Sequence, residues 1–277
     1  MAITAKQVNE LRKITGAGMM DCKKALVEAD GDIEKAIDSL RKKGQKVAAK
    51  REDREAAEGT VLIHINEDST EAIAFALKCE TDFVAKNEDF KSLGTKILAE
   101  AVKNQAESAE ALAALEIDGV KISEQITEYI GKIGEKIEIT SYTKISGEKI
   151  IPYIHGDNKI GVLVELTNVG DAEVTEAGKD VAMQIAAMNP VAVNEEGIDP
   201  ELVEREKQIG IEKARQEGKP EQILEKIAEG FVKKFYKENT LLNQAFVKDN
   251  KLTVQQYLDS VQKGLTVKSF SRISIGR

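Results

Sequence analysis

Hydrophobic residues along the chain recur first at helical spacing and later at strand spacing, and this change divides the sequence into regions. Three short segments near the N-terminus carry apolar residues three and four positions apart, which is typical of amphipathic helices. Two later regions each open with a pair of alternating segments and continue into a helical segment. This order predicts an α+β fold with an N-terminal three-helix unit and a core of two similar halves.

The first predicted helix begins at a capping box formed by Thr4 and Gln7, and Gly16 ends it. Two further helices follow, separated near residue 31. The residues expected to face inward are Val8, Leu11, Ile14, Cys22, Ala25, Leu26, Ala29, Ile33, Ala36, Ile37 and Leu40. The pattern is typical of a compact three-helix unit of the ubiquitin-associated type, whose small size suits a tethered docking role.

Two adjacent methionines, Met19 and Met20, follow the glycine turn between the first two helices. Neighbouring helical positions point in different directions, so both side chains cannot face the same core. We expect Met19 to face outward, where its flexible thioether side chain would offer a soft apolar contact surface.

The strand that leads into residues 77–87 has one face of large side chains. Those large residues are Ile73, Phe75, Leu77 and Cys79, and small residues alternate with most of them. Its predicted partner strand covers residues 61–65 and is joined to it by a polar turn at residues 66–69. His64 lies on the face of that partner strand that we expect to be exposed.

The turn after this strand is predicted to project two side chains. Thr81 can cap a single helical turn, and Asn87 can cap the helix that follows it. Asp82 and Phe83 would then stand at the corner, outside both regular elements, where binding groups are common. The alternative is that Phe83 is a core plug beneath the corner, and hydrophobicity alone favours that alternative.

The remainder of the first half is predicted as two helices and a strand. The first helix runs from residue 88 to about residue 115, and the second covers about residues 123–130. The inward residues of the first helix are Phe90, Leu93, Ile97 and Ala101. Gly131 and Gly134 are expected to break the chain before an alternating strand that begins at Ile137.

The same order of elements recurs from about residue 149. Strands are predicted at residues 151–156 and 160–166, and a helix at residues 173–188. A helix around Leu258 and a strand at residues 267–275 close the chain. We therefore expect two α+β halves related as pseudo-repeats.

Between these segments the sequence predicts a helical hairpin. Asp199, Pro200 and Glu201 supply a cap, an N1 proline and an acidic first turn. A second helix starts at residues 219–221, directly after Gly218, so the two helices must be antiparallel neighbours. The second helix carries the apolar stripe Ile223, Ile227 and Phe231.

Composition places the chain among soluble proteins of two or three modules. It has 277 residues, of which 42% are hydrophobic and 32% charged, and it has no Trp, so its core must be mostly aliphatic. No apolar run reaches the length of a signal sequence or a membrane span, and we expect a cytoplasmic protein. Cys22 and Cys79 are too few and too far apart for a metal cluster, so neither a metal nor a cofactor is expected.

The net charge of −8 is unevenly distributed. Residues 1–54 carry 13 Lys or Arg against 9 Asp or Glu, whereas the remainder carries 27 against 39. An acidic body disfavours nucleic acid as the main ligand. The basic excess lies at residues 41–51, where no aromatic residue is present for base stacking, and a solvated linker helix is the favoured interpretation.

The sequence offers no catalytic constellation. The only two histidines, His64 and His155, lie on different predicted strands, and no phosphate-binding loop ending in Lys-Ser or Lys-Thr occurs. The glycines at residues 16 and 18 follow a helix and lack the third glycine of a dinucleotide-binding loop. We therefore expect that the protein is not an enzyme.

Two long motifs resemble those of a known family. Residues 81–86 have the sequence T-D-F-V-A-K, and residues 11–26 have the sequence L-R-K-I-T-G-A-G-M-M-D-C-K-K-A-L. Both resemble, in order and spacing, the hallmark motifs of bacterial elongation factor Ts, the guanine-nucleotide exchange factor of the translational GTPase elongation factor Tu. Ala76 and Lys78 depart from the family, which more often has Glu and Asn there, and we expect only a local effect.

The resemblance implies a translation factor that binds elongation factor Tu in its GDP-bound and nucleotide-free states. Phe83 is implied to wedge between helices of the GTPase, with Asp82 fixing it by polar contacts. Thr81 to Val84 are together implied to disturb the partner's Mg²⁺, without ligating it, so that GDP leaves and GTP rebinds. Further implied partner contacts are Met19, Met20 and His155.

The resemblance also implies the domain limits. The three-helix unit and basic linker cover residues 1–54, and the first half of the core covers 55–145. The second half covers 146–184 and 229–277, interrupted by an inserted coiled-coil hairpin at 185–228. That hairpin is a candidate surface for a homodimer, whereas direct nucleic-acid and membrane partners are not expected.

Two other functions stay open at this point. An adaptor could use the three-helix unit to bind ubiquitin-like or nascent-chain partners, but this explains only residues 1–54. RNA could bind residues 41–51, and such binding would weaken steeply with salt.

Overall fold

A computed structural model of the chain describes residues 3–276. The outermost limits of the expected domains, residues 1, 2 and 277, lie outside the described residues. The three-helix unit comprises α1 (Ala5–Thr15), α2 (Met19–Glu28) and α3 (Ile33–Arg51). The first half comprises β1 (Glu58–Ile65), β2 (Glu71–Cys79), α4 (Asp82–Ala85), α5 (Glu88–Lys103), α6 (Ala109–Ala114), β3 (Glu116–Ile117), β4 (Val120–Lys121), α7 (Ile122–Ile133) and β5 (Ile137–Ser146).

The second half contains the hairpin and the closing strand. Its elements are β6 (Lys149–His155), β7 (Ile160–Thr167), α8 (Thr175–Met188), α9 (Pro200–Gln216), α10 (Glu221–Asn239), β8 (Ala245–Phe246), β9 (Asp249–Thr253), α11 (Val254–Val261) and β10 (Thr266–Ser274). Two single 3₁₀ turns, Glu195–Gly197 and Leu241–Asn243, flank the hairpin. This mixture of helices and antiparallel strands confirms the predicted α+β class.

Each half is built on a three-stranded antiparallel sheet with the same topology. The strand orders are β1-β2-β5 in the first half and β6-β7-β10 in the second. In both halves the second strand lies in the centre, the first strand forms a hairpin with it, and the last strand of that half pairs on its other side. The predicted recurrence of strand, strand and helix is therefore present in the fold.

Strand β2 is buried on both faces. Its large residues, including Phe75 and Leu77, pack in the first-half core beneath α5. Its alanines at positions 72, 74 and 76 pack against Ile150, Leu163 and Ile273 of the second-half sheet. The small-residue face is thus the interface between the two halves, and small side chains there allow the two sheets to approach closely.

Two expectations for the first half were wrong. The helix α5 has the predicted inner face, but it ends at Lys103, because the left-handed backbone of Gln105 (φ 51°) turns the chain before α6. Gly131 lies inside α7 and does not break it. Instead, a Cβ on Gly131 would lie only 2.6 Å from the Cα of Gly44, so α3 and α7 cross there in close contact. Gly134 does end α7, in the left-handed conformation (φ 78°).

The three-helix unit has a small core that includes Leu11, Cys22 and Leu26. The capping box at Thr4 is present, as predicted. The expectation that Ile14 faces this core was wrong. Its side chain is 58% exposed, because the end of α1 faces the groove between the unit and α7.

The helices α9 and α10 pack against each other with their ion-paired residues in opposite order. Gly210 in α9 lies directly against the side chain of Phe231 in α10. This contact covers part of the Phe231 ring. Ion pairs join the helices from Lys207 to Glu225 at 2.9 Å and from Arg215 to Glu221 at 2.7 Å. The apolar stripe is therefore partly covered within the hairpin.

Candidate partner-binding site

The chain leaves the first-half sheet through a single helical turn, as predicted. Thr81 has extended backbone angles, and its Oγ1 accepts a hydrogen bond from the N–H of Val84 at 3.4 Å. After this turn, Asn87 Oδ1 accepts from the N–H of Asp89 at 2.8 Å and caps α5. Both caps satisfy N–H groups that a helix cannot satisfy itself, so the corner is a defined structure.

Phe83 projects from this corner into solvent. Its side chain is 82% exposed, whereas those of Val84 and Ala85, in the same turn, are buried in the first-half core. The interpretation of Phe83 as a core plug is therefore wrong, and Val84 supports the turn from below. We call residues 81–84 the projecting loop.

Asp82 forms an ion pair along the turn. Its Oδ2 accepts from Lys86 Nζ at 2.8 Å, and this hydrogen bond lowers the pKa of Asp82 and raises the pKa of Lys86. Both side chains are in contact with solvent. The pair places a carboxylate beside Phe83 that stays charged at neutral pH.

The base of the projecting loop is held by Glu135. The N–H and the hydroxyl of Thr81 both donate to its carboxylate, at 3.0 and 2.7 Å. Cys79, also at the base, is buried, and burial raises the pKa of its thiol to about 12, so it behaves as a small apolar side chain. Sequence reasoning missed Glu135, which is 54 residues away, and only the glycine before it marked the position.

A second glutamate links the loop base to the three-helix unit. Glu80 accepts from Arg51 Nη1 at 3.0 and 3.1 Å and from the N–H of Lys136 at 2.7 Å. Arg51 is the last residue of α3. The basic segment is helical and mostly exposed, as predicted, but it continues α3 without a break, and Arg51 at its end is half-buried. The three-helix unit is therefore attached at the loop base.

A groove of about 670 Å³ separates the projecting loop from the turn between β6 and β7. Asp82 and Lys86 line one side of the groove, and residues 156–159 line the other. The N–H of Val61 donates to the carbonyl of Asn158 at 2.8 Å and fixes this turn against β1. The fold thus brings parts of both halves together next to Phe83.

The other predicted contact residues lie around this region. His155 is exposed at the end of β6, just before the turn that lines the groove, and its Nδ1 lies 2.9 Å from the hydroxyl of Tyr153. Met19 and Met20 are 54% and 74% exposed, so Met19 faces outward as expected, and Met20 does so as well. They belong to the three-helix unit and do not line the groove.

Lys132 connects the glycine turn before these methionines to α5. Its Nζ binds Asp89 in the first turn of α5 at 2.8 Å. The same Nζ lies 3.0 Å from where a Cβ on Gly16 would be. The start of α2 is therefore held near the helix that follows the projecting loop.

Within residues 3–276, no group of three or more His, Cys, Asp and Glu side chains is arranged to hold a metal ion. His64 is half-buried on β1, contrary to the expectation that it is exposed, and it lies in a different sheet from His155. No helix among the described residues is long and apolar enough to cross a membrane. The exposed Phe83, the hydrogen bonds of Thr81 and the charged pair of Asp82 and Lys86 are features by which proteins contact other proteins.

Comparison with known proteins identifies the family. A family model described as Elongation factor TS matches residues 80–277. The elongation factor Ts of Amoebophilus asiaticus is 53% identical over 276 residues, which is 100% of both chains. That of Cytophaga hutchinsonii is 54% identical over 274 residues, and that of Porphyromonas gingivalis is 51% identical over 276, each covering 99% of both chains. These matches confirm the resemblance of the two motifs, and the chain belongs to the elongation factor Ts family of translation elongation factors.

Proposed function

We propose that this protein is a guanine-nucleotide exchange factor that binds elongation factor Tu and promotes release of GDP. The observation that carries the proposal is the exposure of Phe83 on a base that is otherwise fixed by burial and hydrogen bonds. A large aromatic side chain in water has an unfavourable environment unless a partner covers it. The protein itself would catalyse no covalent reaction and would act by changing the stability of the partner's nucleotide complex.

In the proposed mechanism, the projecting loop docks on GDP-bound elongation factor Tu and Phe83 inserts between helices of the GTPase. Asp82 orients the loop by polar contacts, and the insertion displaces the groups that hold the partner's Mg²⁺. GDP then leaves, and GTP rebinds to the nucleotide-free complex. The Mg²⁺ belongs to the partner throughout.

One inserted side chain and its surroundings can supply a binding energy of the size that this step needs. Phe buries about 150–250 Å², and such residues often dominate binding energy at interfaces. Weakening of GDP binding by a factor of about 10⁵ would require about 7 kcal/mol of coupling, at 1.4 kcal/mol per tenfold. Linkage requires that GDP weaken the binding of the factor by the same ratio.

The rest of the surface supplies docking contacts in this proposal. The three-helix unit, which we take to be of the ubiquitin-associated type, presents Met19 and Met20, and the second half presents His155 beside the groove. The hairpin would serve as a coiled-coil contact, either for the partner or for a second copy. We place this activity in the cytoplasm, with no direct contact to nucleic acid or membrane.

The test is a titration of GDP into the preformed complex with purified elongation factor Tu, with and without Mg²⁺. We expect GDP to displace the factor and Mg²⁺ to assist, because Phe83 would be incompatible with a closed nucleotide site. We also expect the factor to accelerate release of a fluorescent GDP analogue. A complex that is indifferent to nucleotide, or a release rate that the factor does not change, would rule out exchange as the function.

A further inference from the structure

Backbone pairing between β2 and β5 ends at the residues Cys79 and Ile137. Just beyond this pair, outside both strands, two glutamate side chains accept hydrogen bonds from the N–H groups of the facing segment. The Glu135 carboxylate accepts from the N–H of Thr81, and the Glu80 carboxylate accepts from the N–H of Lys136. In a continuing antiparallel ladder, backbone carbonyls accept such bonds. The two side chains therefore take over this role where the backbone leaves the sheet.

Glu135 also holds the residue that caps the next turn. Its Oε1 accepts from the hydroxyl of Thr81 at 2.7 Å, and that hydroxyl oxygen accepts from the N–H of Val84 at 3.4 Å. Phe83 lies between these two residues in sequence. One carboxylate thus fixes Thr81 by two charge-assisted bonds, and Thr81 fixes the turn that carries Phe83.

Glu80 is itself held by a cation. Arg51 Nη1 donates to both of its oxygens, and the two side chains are 31% and 13% exposed. This pairing offsets the cost of placing the Glu80 carboxylate in a half-buried position. Glu80 can then serve as the acceptor for Lys136 without carrying an unpaired charge.

We propose that Glu135, assisted by Glu80, is a positioning residue that fixes the direction in which Phe83 projects. The inference rests on the proposed exchange function for its consequence but not for its geometry. A side chain that is already ordered before docking loses less conformational entropy on binding. Loss of Glu135 leaves the N–H of Thr81 without its acceptor and frees the turn, while Phe83 itself is unchanged.

The first test needs no partner. Because the chain has no Trp, Phe83→Trp places a single tryptophan at the exposed position, and its time-resolved anisotropy reports motion of the projecting loop. With Glu135→Ala we expect a lower order parameter than with Glu135 present, because the turn that carries residue 83 gains large-amplitude motion. Glu135→Gln should stay near the value with Glu135 present, because its amide oxygen still accepts from Thr81 N–H and its amide nitrogen can donate to the hydroxyl.

Glu124→Ala is the matched control, since Glu124 is an exposed glutamate in the first turn of α7. If Glu135→Ala proves too unstable to study, Thr81→Val, which keeps the N–H and removes the hydroxyl, should give an intermediate order parameter. The proposal would be overturned if Glu135→Ala, or Thr81→Val in its place, gave the same order parameter as the chain with Glu135 and as the control.

The second test measures GDP release from elongation factor Tu against factor concentration. We expect Glu135→Ala to lower the plateau rate about tenfold, which corresponds to loss of charge-assisted hydrogen bonds. In a Phe83→Ala background the same change should have no further effect, because Glu135 acts through Phe83. If the original chain does not accelerate GDP release from elongation factor Tu, the exchange function fails while the anisotropy result still stands. If it accelerates that release and the Glu135→Ala variant does so equally well, the positioning role fails.

Discussion

Gly44 and Gly131 face each other where α3 crosses α7, and a Cβ on Gly131 would lie 2.6 Å from the Cα of Gly44. The neighbour is backbone, so it cannot move aside as a flexible side chain would. We expect Gly131→Ala to lower the free energy of unfolding by about 1–3 kcal/mol through this overlap. Gly230→Ala is the control, because it adds a Cβ to open space in α10 and should raise stability by about 0.5–1 kcal/mol. Urea unfolding of both variants measures the contrast, and equal responses would contradict the close crossing.

Phe83→Ala should leave folding unchanged and remove most exchange activity. The side chain is exposed, so its loss costs the core little, whereas a hot-spot residue contributes about 2 kcal/mol or more to the complex, or roughly 30-fold in rate or affinity. Val84→Ala is the neighbouring control, and because Val84 is buried it should lower stability by roughly 2 kcal/mol. Circular dichroism melts and GDP-release assays separate the two effects. A large loss of stability in Phe83→Ala would show that the ring is part of the core in solution.

Replacing both exposed methionines should weaken docking and spare the exchange step. Met19→Ser with Met20→Ser removes apolar contact area on the three-helix unit and leaves residues 81–84 unchanged. We expect the factor concentration at half-maximal GDP release to rise roughly tenfold, with an unchanged plateau rate. Val247→Ser, at an exposed apolar position of the second half, is the control and should change neither value. A lower plateau with unchanged half-saturation would assign the methionines to the exchange step instead.

The hairpin should contact either the partner or a second copy of the chain. Ile209 and Ile223 are large apolar residues that α9 and α10 leave exposed. Ile209→Ser with Ile223→Ser should convert any dimer seen by light scattering into monomer, or else reduce partner affinity measured by calorimetry. If the original chain is a strict monomer and the double variant binds the partner equally well, the hairpin has neither role.

The Cys79 thiol should resist a disulfide reagent while the chain is folded. Burial is the main cause that raises its pKa from 9.0 to about 12, so at pH 9 its thiolate fraction falls on the order of a hundred- to a thousandfold below that of the unfolded chain. The protonated thiol therefore contributes stability that is fully present below about pH 9 and is lost as the pH rises toward 12. In a Cys22→Ala chain, labelling at pH 9 should become fast only when urea unfolds the protein. Rapid labelling without urea would show that the strand end opens readily.

Local signals in the sequence were sufficient to predict the caps and the helical turn between them. Thr81, Asn87 and Asp199 each act on N–H groups within three residues, so their effect is visible in the adjacent sequence. Alternation and helical spacing likewise predicted the paired strands and most inward residues. The family itself required the two motifs, because exposure of Phe83 could not be decided from hydrophobicity.

The features that sequence reasoning missed depend on residues far apart in the chain. Gly131 and Gly134 both follow a helical pattern, yet one is a packing glycine and the other a helix end, because Gly44 lies opposite the first. Glu135 is an ordinary solvated carboxylate by sequence, and only the fold brings it to Thr81. Ile14 has the spacing of a core residue, but the end of α1 faces the groove beside α7, so its side chain stays exposed. Tertiary contacts decide such cases.

The alanine face of β2 also constrains when the protein can fold during synthesis. Ala74 is covered in part by Ile273, which the ribosome adds about 200 residues later. At roughly 5–20 residues per second, the first sheet would wait about 10–40 seconds for that strand. During this interval the nascent first half presents an uncovered sheet face, which is an opportunity for chaperone binding or misassembly. Co-translational folding should therefore complete the three-helix unit early and the joined halves only when β10 has emerged.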